Sequence, residues 1–235
     1  MKKLLSLMAM FLMVAVAALP STALATPTLW LSDGIAAPVI VVDQGPLDKD
    51  LLDVGVVAYI GSLGSWNINV TTGMTMPAQG SASNPSMDLN SLDKRSVLTG
   101  QGTLTLMFSE VGYTLSGSPG AIMTIGGTIM PVIASGGVTY KAYFNNSNVL
   151  FDTTGVAIGT LGPYLTKAFA GDVTNFITTG NPYSLTQFVK IELPSPGTVS
   201  LNVTLDLVPL PPSALFLGTG LLGLVALGWR RRQAS

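Results

Sequence analysis

Cysteine and histidine are both absent from this 235-residue chain, and only 10% of its residues are charged. Without thiolate or imidazole, Cys-His and Ser-His-Asp catalysis are excluded, as are the zinc and copper sites that need those ligands. The missing cysteine also rules out a disulfide framework, so any folded domain must be held by an ordinary apolar core. Glutamate is scarce too: Glu110 and Glu192 are the only two. A hydrophobic content of 48% against so little charge is too apolar for a disordered chain.

Part of that apolarity lies at the ends. MKKLLSLMAMFLMVAVAALPSTALA opens with Lys2 and Lys3, continues uncharged from Leu4 to Leu19, and closes on Pro20 and Ala23-Leu24-Ala25. This order is that of a secretory signal peptide over 1–25, with cleavage expected between Ala25 and Thr26. In the exported part, 26–207, six cationic side chains (Lys49, Lys94, Arg95, Lys141, Lys167 and Lys190) stand against all twelve acidic ones. An acidic surface repels phosphate backbones, so nucleic acid is not an expected partner.

Between the ends, the sequence predicts an all-β domain. SLNVTLDL puts Leu201, Val203, Leu205 and Leu207 on one face and polar residues on the other, the period of a strand with one dry side. WNINVTT repeats it with Trp66, Ile68 and Val70 inside, and GTLTLMFS (102–109) and VKIEL (189–193) follow the same rule. Turn signals fall at Ser32-Asp33-Gly34, Gly61–Gly64, Ser116–Gly120, Gly126-Gly127, Gly136-Gly137, Asn145-Asn146 and Pro194–Gly197. The spacing suits one antiparallel β-sandwich of eight to ten strands, with a jelly roll among the arrangements it allows. Short helical turns are expected within 160–170 and within 48–54, and the polar stretch 72–91 reads as an exposed excursion from the sheets.

The C-terminal part, VPLPPSALFLGTGLLGLVALGWRRRQAS (208–235), combines a proline motif, sixteen uncharged residues from Ala214 to Trp229, and Arg230-Arg231-Arg232. As a helix, 214–229 would reach roughly 24 Å, marginal against a hydrocarbon core of roughly 30 Å. The arginines would hold the C-terminus on the cytoplasmic side. The order Val208-Pro209-Leu210-Pro211-Pro212-Ser213, apolar run, arginine cluster resembles the PEP-CTERM sorting signal. Leu210 stands where the family name puts glutamate, as in the V-P-L-P subgroup it is similar to. That resemblance implies a Gram-negative source and transient anchoring in the inner membrane. It further implies processing by an exosortase-type enzyme within 208–213 and delivery to the cell surface or the extracellular polysaccharide matrix of a biofilm.

Candidate sites within the domain are few. Asp43, Asp48, Asp50 and Asp53 crowd DQGPLDKDLLD; several carboxylates on a loop suit calcium, but the order of an EF-hand is missing, and solvated loop charges are the simpler expectation. A glycosidase would need two carboxylates in one cleft, and Glu192 sits on the wet face of its strand. Among Trp30, Trp66, Tyr59, Tyr113, Tyr140, Tyr143, Tyr164 and Tyr183, Trp66 has core parity, whereas Tyr143 has the parity opposite to Tyr140 and is the expected exposed ring. The expectation is therefore a non-enzymatic, exported, structural or adhesive β-sandwich without a cofactor, with extracellular polysaccharide as a candidate partner. A carbohydrate-binding module using exposed aromatics is the alternative.

Overall fold

The computed structural model describes residues 26–96 and 102–209. The signal segment 1–25, the residues Leu210, Pro211, Pro212 and Ser213, the run 214–229 and the arginine cluster lie outside the described residues. Thirteen strands occur among those described: β1 Thr28–Ser32, β2 Val39–Val42, β3 Val56–Leu63, β4 Trp66–Met74, β5 Gly80–Ser81, β6 Asn84–Arg95, β7 Thr103–Tyr113, β8 Gly120–Met130, β9 Gly137–Asn145, β10 Val156–Tyr164, β11 Ala168–Phe176, β12 Tyr183–Glu192 and β13 Gly197–Val208. That exceeds the eight to ten expected. All pairings are antiparallel.

The strands form two sheets, β10-β9-β12-β7-β1-β2 and β11-β8-β13-β6-β4-β3, with β5 paired to β6. The eight strands β6 to β13 divide between the sheets as β10-β9-β12-β7 and β11-β8-β13-β6, the connectivity of a jelly roll. One core fills the space between the sheets, and Leu201, Val203, Leu205 and Leu207 all point into it, as does Trp66. Ile68, Leu104, Leu106, Phe108, Val189, Ile191 and Leu193 do the same, as their alternation predicts.

Polar pins cross this core. Gln187 Nε2 on β12 donates toward the carbonyls of Met87 (3.4 Å) and Val203 (3.3 Å) and to Tyr140 Oη (3.1 Å). Tyr140 Oη in turn donates to the Thr204 carbonyl at 2.9 Å. Each of these bonds either joins the two sheets or orients a group that does. Buried donors satisfied this way fix how the sheets face each other, since slippage would strand them.

Four local expectations are corrected. Residues 160–170 hold no helical turn: they are the end of β10, a turn, and the start of β11, where Gly162 has φ +97° and Tyr164 stacks on Phe169 at 5.0 Å. Residues 48–54 form turns and bends without helix. The stretch 72–91 is not an excursion, because β4 runs to Met74 and β6 begins at Asn84. Its strand is disguised by polar residues at inward positions: Met87 and Leu89 are followed on the same face by buried Ser91, Asp93 and Arg95. Gly126-Gly127 lies inside β8 rather than in a turn. A Cβ on Gly127 would come within 2.5 Å of the Phe169 ring, so glycine gives that ring its seat.

Candidate functional site

The acidic stretch folds in the opposite sense from a metal loop. Asp43 Oδ2 accepts from the Gly55 amide at 2.8 Å, and Asp48 accepts from the amides of Gln44 (3.0 Å), Asp50 (3.0 Å) and Ala58 (2.9 Å). Asp50 Oδ1 accepts from Leu52 and Asp53, both at 3.2 Å. Asp43 and Asp48 are buried. Carboxylates taking backbone N–H groups are loop staples of the Asx-turn kind. No three acidic groups converge on a possible metal position among the described residues. The expectation of solvated charges fails for Asp43 and Asp48.

The two glutamates are far apart. Glu110 pairs with Leu185 and Glu192 with Thr103 on the same β7–β12 ladder, so they are separated by roughly 23 Å of strand. Glu192 is half-exposed and bound to Lys190 at 2.9 Å, on the wet side of its strand as expected. Glu110 is fully buried; burial pushes its carboxyl up to about 8, helped by the nearby charge of Asp43, while the Val111 amide opposes the shift. Asp93, buried at the opposite end of the core, is pushed up to about 7 by burial, against the hydrogen bond from Ser91 at 2.7 Å. A shallow depression of about 270 Å³ lies near that end, bordered by Gly102, Thr103, Ser135, Gly136, Glu192, Leu193 and Pro194. Its one carboxylate is the one already paired with Lys190.

On the outer face of the seven-stranded sheet, Asp88 and Asp206 lie on adjacent strands with Asn202 and Ser86 beside them. Ser86 Oγ donates to Asp206 at 2.5 Å. Partial burial raises the Asp88 carboxyl, the hydrogen bond with Asn202 lowers it, and the Asp206 charge raises it again. Threonines continue this face: Thr124 and Thr204 share a hydrogen bond at 2.7 Å.

The outer face of the six-stranded sheet is different. Strand pairing sets Ile40, Trp30, Met107, Phe188 and Lys141 side by side on β2, β1, β7, β12 and β9. At about 4.8 Å per strand the stripe from Trp30 to Lys141 spans about 14 Å. Trp30, Met107, Phe188 and Lys141 are half-buried, and Ile40 is exposed. Tyr143, one row along, meets Phe188 edge-on at a centroid distance of 6.4 Å. Beside the stripe, the loop after β9 folds over the sheet: the Phe151 amide donates to Ser109 Oγ at 3.1 Å and the Gly112 amide to Asn148 at 2.8 Å. The result is an aromatic ledge bordered by a loop.

Of the aromatics singled out from sequence, Trp66, Tyr113, Tyr140 and Tyr183 are in the core, and Tyr59 and Tyr164 are half-buried against it. Trp30 and Tyr143 come to the same outer face, and Tyr143 is more exposed than Tyr140, as its parity predicts. Phe188 and Met107 complete the stripe. Their polar-face parity in QFVKIE and TLMFS was the available signal, because a large apolar side chain on the wet side of a strand is unusual.

Thr26, Val208 and Pro209 are the described members of the two processing segments. They share one end of the sandwich. Asp43 N donates to the Pro27 carbonyl at 3.1 Å, next to Thr26, and Val208 pairs with Gly120 at the end of β13. Thr75, whose amide bonds the Gly55 carbonyl, meets Tyr113 Oη at that same end.

No protein-family model matches the chain, and no curated protein matches it. Among solved structures, the K1 cleaved adhesin domain of Lys-gingipain from Porphyromonas gingivalis W83 is similar at 9% identity and a TM-score of 0.34, over 66% of this chain and 98% of that one. An overlap that low carries no argument about this chain.

Proposed function

We propose that this chain is an exported, non-catalytic β-sandwich that binds polysaccharide through the outer face of its six-stranded sheet. Its role is structural or adhesive, at the cell surface or in the extracellular matrix. The observation supporting it is the stripe of Trp30, Met107 and Phe188 with Tyr143 beside it, on an open sheet face rather than in the core. Flat rings pack on the apolar faces of sugars, and aromatic side chains with polar neighbours make such contacts at low entropy cost. Lys141 at one end of the stripe gives the ledge a polar border.

The resemblance of the tail supports delivery to that place. Signal peptidase would release Thr26 as the new N-terminus, and an exosortase-type enzyme would act within Val208–Ser213 while 214–229 is held in the inner membrane with Arg230, Arg231 and Arg232 inside. Electrophoresis through gels containing matrix polysaccharide tests the binding. The wild type is expected to be retarded, and Trp30→Ala and Phe188→Ala are each expected to weaken retention roughly tenfold, or about 1.4 kcal/mol. Asn202→Ala, on the other sheet, is expected to leave it unchanged. Equal mobility of all four proteins would remove the aromatic face as the binding surface.

A further inference from the structure

We propose that the end of the sandwich carrying Thr26 and Pro209 rests on a lipid bilayer, with the 43–55 loop at the membrane interface. The inference rests on the reading of 214–229 as a membrane-inserted segment and adds to it an orientation and a second contact.

Two independent features meet at this end. First, chain reach: Ala214 is five residues beyond Pro209, so insertion of 214–229 holds the end of β13 within about 18 Å of the bilayer. Second, the surface there is apolar where a loop tip is ordinarily polar. Leu52 is 91% exposed, and Leu47, Leu51, Val54, Phe176 and Val208 are exposed with it. The inward turn of the aspartates causes this in the loop. Asp43 and Asp48 are buried on backbone amides, and Asp50 holds the Leu52 and Asp53 amides, so the leucines are what the loop presents. A stapled loop offers those side chains without paying ordering entropy on contact.

The occupant is a zwitterionic bilayer surface. The loop's solvent-facing charges are Lys49 against Asp50 and Asp53, so it lacks the basic excess that recruits anionic lipid. Apolar side chains entering the headgroup boundary are favourable in proportion to the area they bury.

The absence of native cysteine allows a direct test. Leu52→Cys and Val132→Cys are each labelled with a fluorophore in the full chain and reconstituted in phosphatidylcholine and phosphatidylethanolamine vesicles containing a nitroxide lipid. Val132 is also exposed to labelling but lies beyond Met130, at the far end of strands roughly 40 Å long. The expected result is loss of fluorescence at position 52 and none at position 132. Leu51→Cys serves as the second probe should the first variant misfold. Flotation of the chain with vesicles but without quenching at 51 or 52 overturns this inference alone. Failure of the chain to float overturns the anchoring reading and this inference with it.

Discussion

Asp48 illustrates how a side chain's partners, rather than its charge, set its role. Its two oxygens take three backbone amides, from Gln44, Asp50 and Ala58, and tie the loop after β2 to the start of β3. Hydrogen bonds to a carboxylate are stronger than neutral ones, and removing the acceptor leaves buried donors unpaired. Asp48→Ala is therefore expected to cost about 2–3 kcal/mol in urea unfolding and to open the loop to protease. Unchanged stability, together with a wild-type melting temperature that rises with calcium, would assign the aspartates to a metal instead. Asp93 and Glu110 give a pH dependence of definite sign. Both carboxyls keep their protons in the folded protein to about 7 and about 8, whereas unfolded carboxyls lose them near pH 4. Between those values the folded state binds more protons than the unfolded one, so stability falls as pH rises from about 4 and levels off above about 8. Asp93→Asn and Glu110→Gln are expected to flatten that decline in urea melts at pH 5 and pH 8. A wild type equally stable at both would contradict the assignment.

Strands show where sequence patterning succeeds and where it is blinded. β13 was legible because every inward position is aliphatic, and β12 from Val189 onward for the same reason. β6 was not, since Ser91, Asp93 and Arg95 occupy its dry face and its alternation of hydropathy stops at Leu89 although the alternation of burial continues. Glycines on strands were likewise ambiguous, being turn formers by type. Gly73 sits under the Phe108 ring, and an added Cβ would lie 2.5 Å from it; Gly126 has open space above it. Gly73→Ala should thus destabilise by about 1–3 kcal/mol through overpacking. Gly126→Ala should stay within about 0.5 kcal/mol of wild type. Thermal melts of the two variants separate close approach between sheets from mere strand propensity, and equal shifts would show that the contact between Gly73 and Phe108 is soft.

As a whole, the molecule is a single core closed by two sheets, with both ends of the described chain at one end of the sandwich. The intact mass of protein recovered from the native surface or matrix fraction is expected to begin at Thr26 and to end within Pro209–Ser213. A species still ending at Ser235 and confined to membranes would make 214–229 a plain anchor. The chemistry that is missing, the breaks at most turns and the inward face of each cleanly alternating strand were determined by the sequence alone, because they depend on composition and on a backbone whose side chains alternate every residue. Strand order, the placement of Trp30 beside Phe188, and the turning of three aspartates onto their own loop were decided only in the tertiary structure. Alternation says which face is dry but not which strand lies alongside, and a carboxylate's partners are chosen by the backbone amides that folding brings within reach.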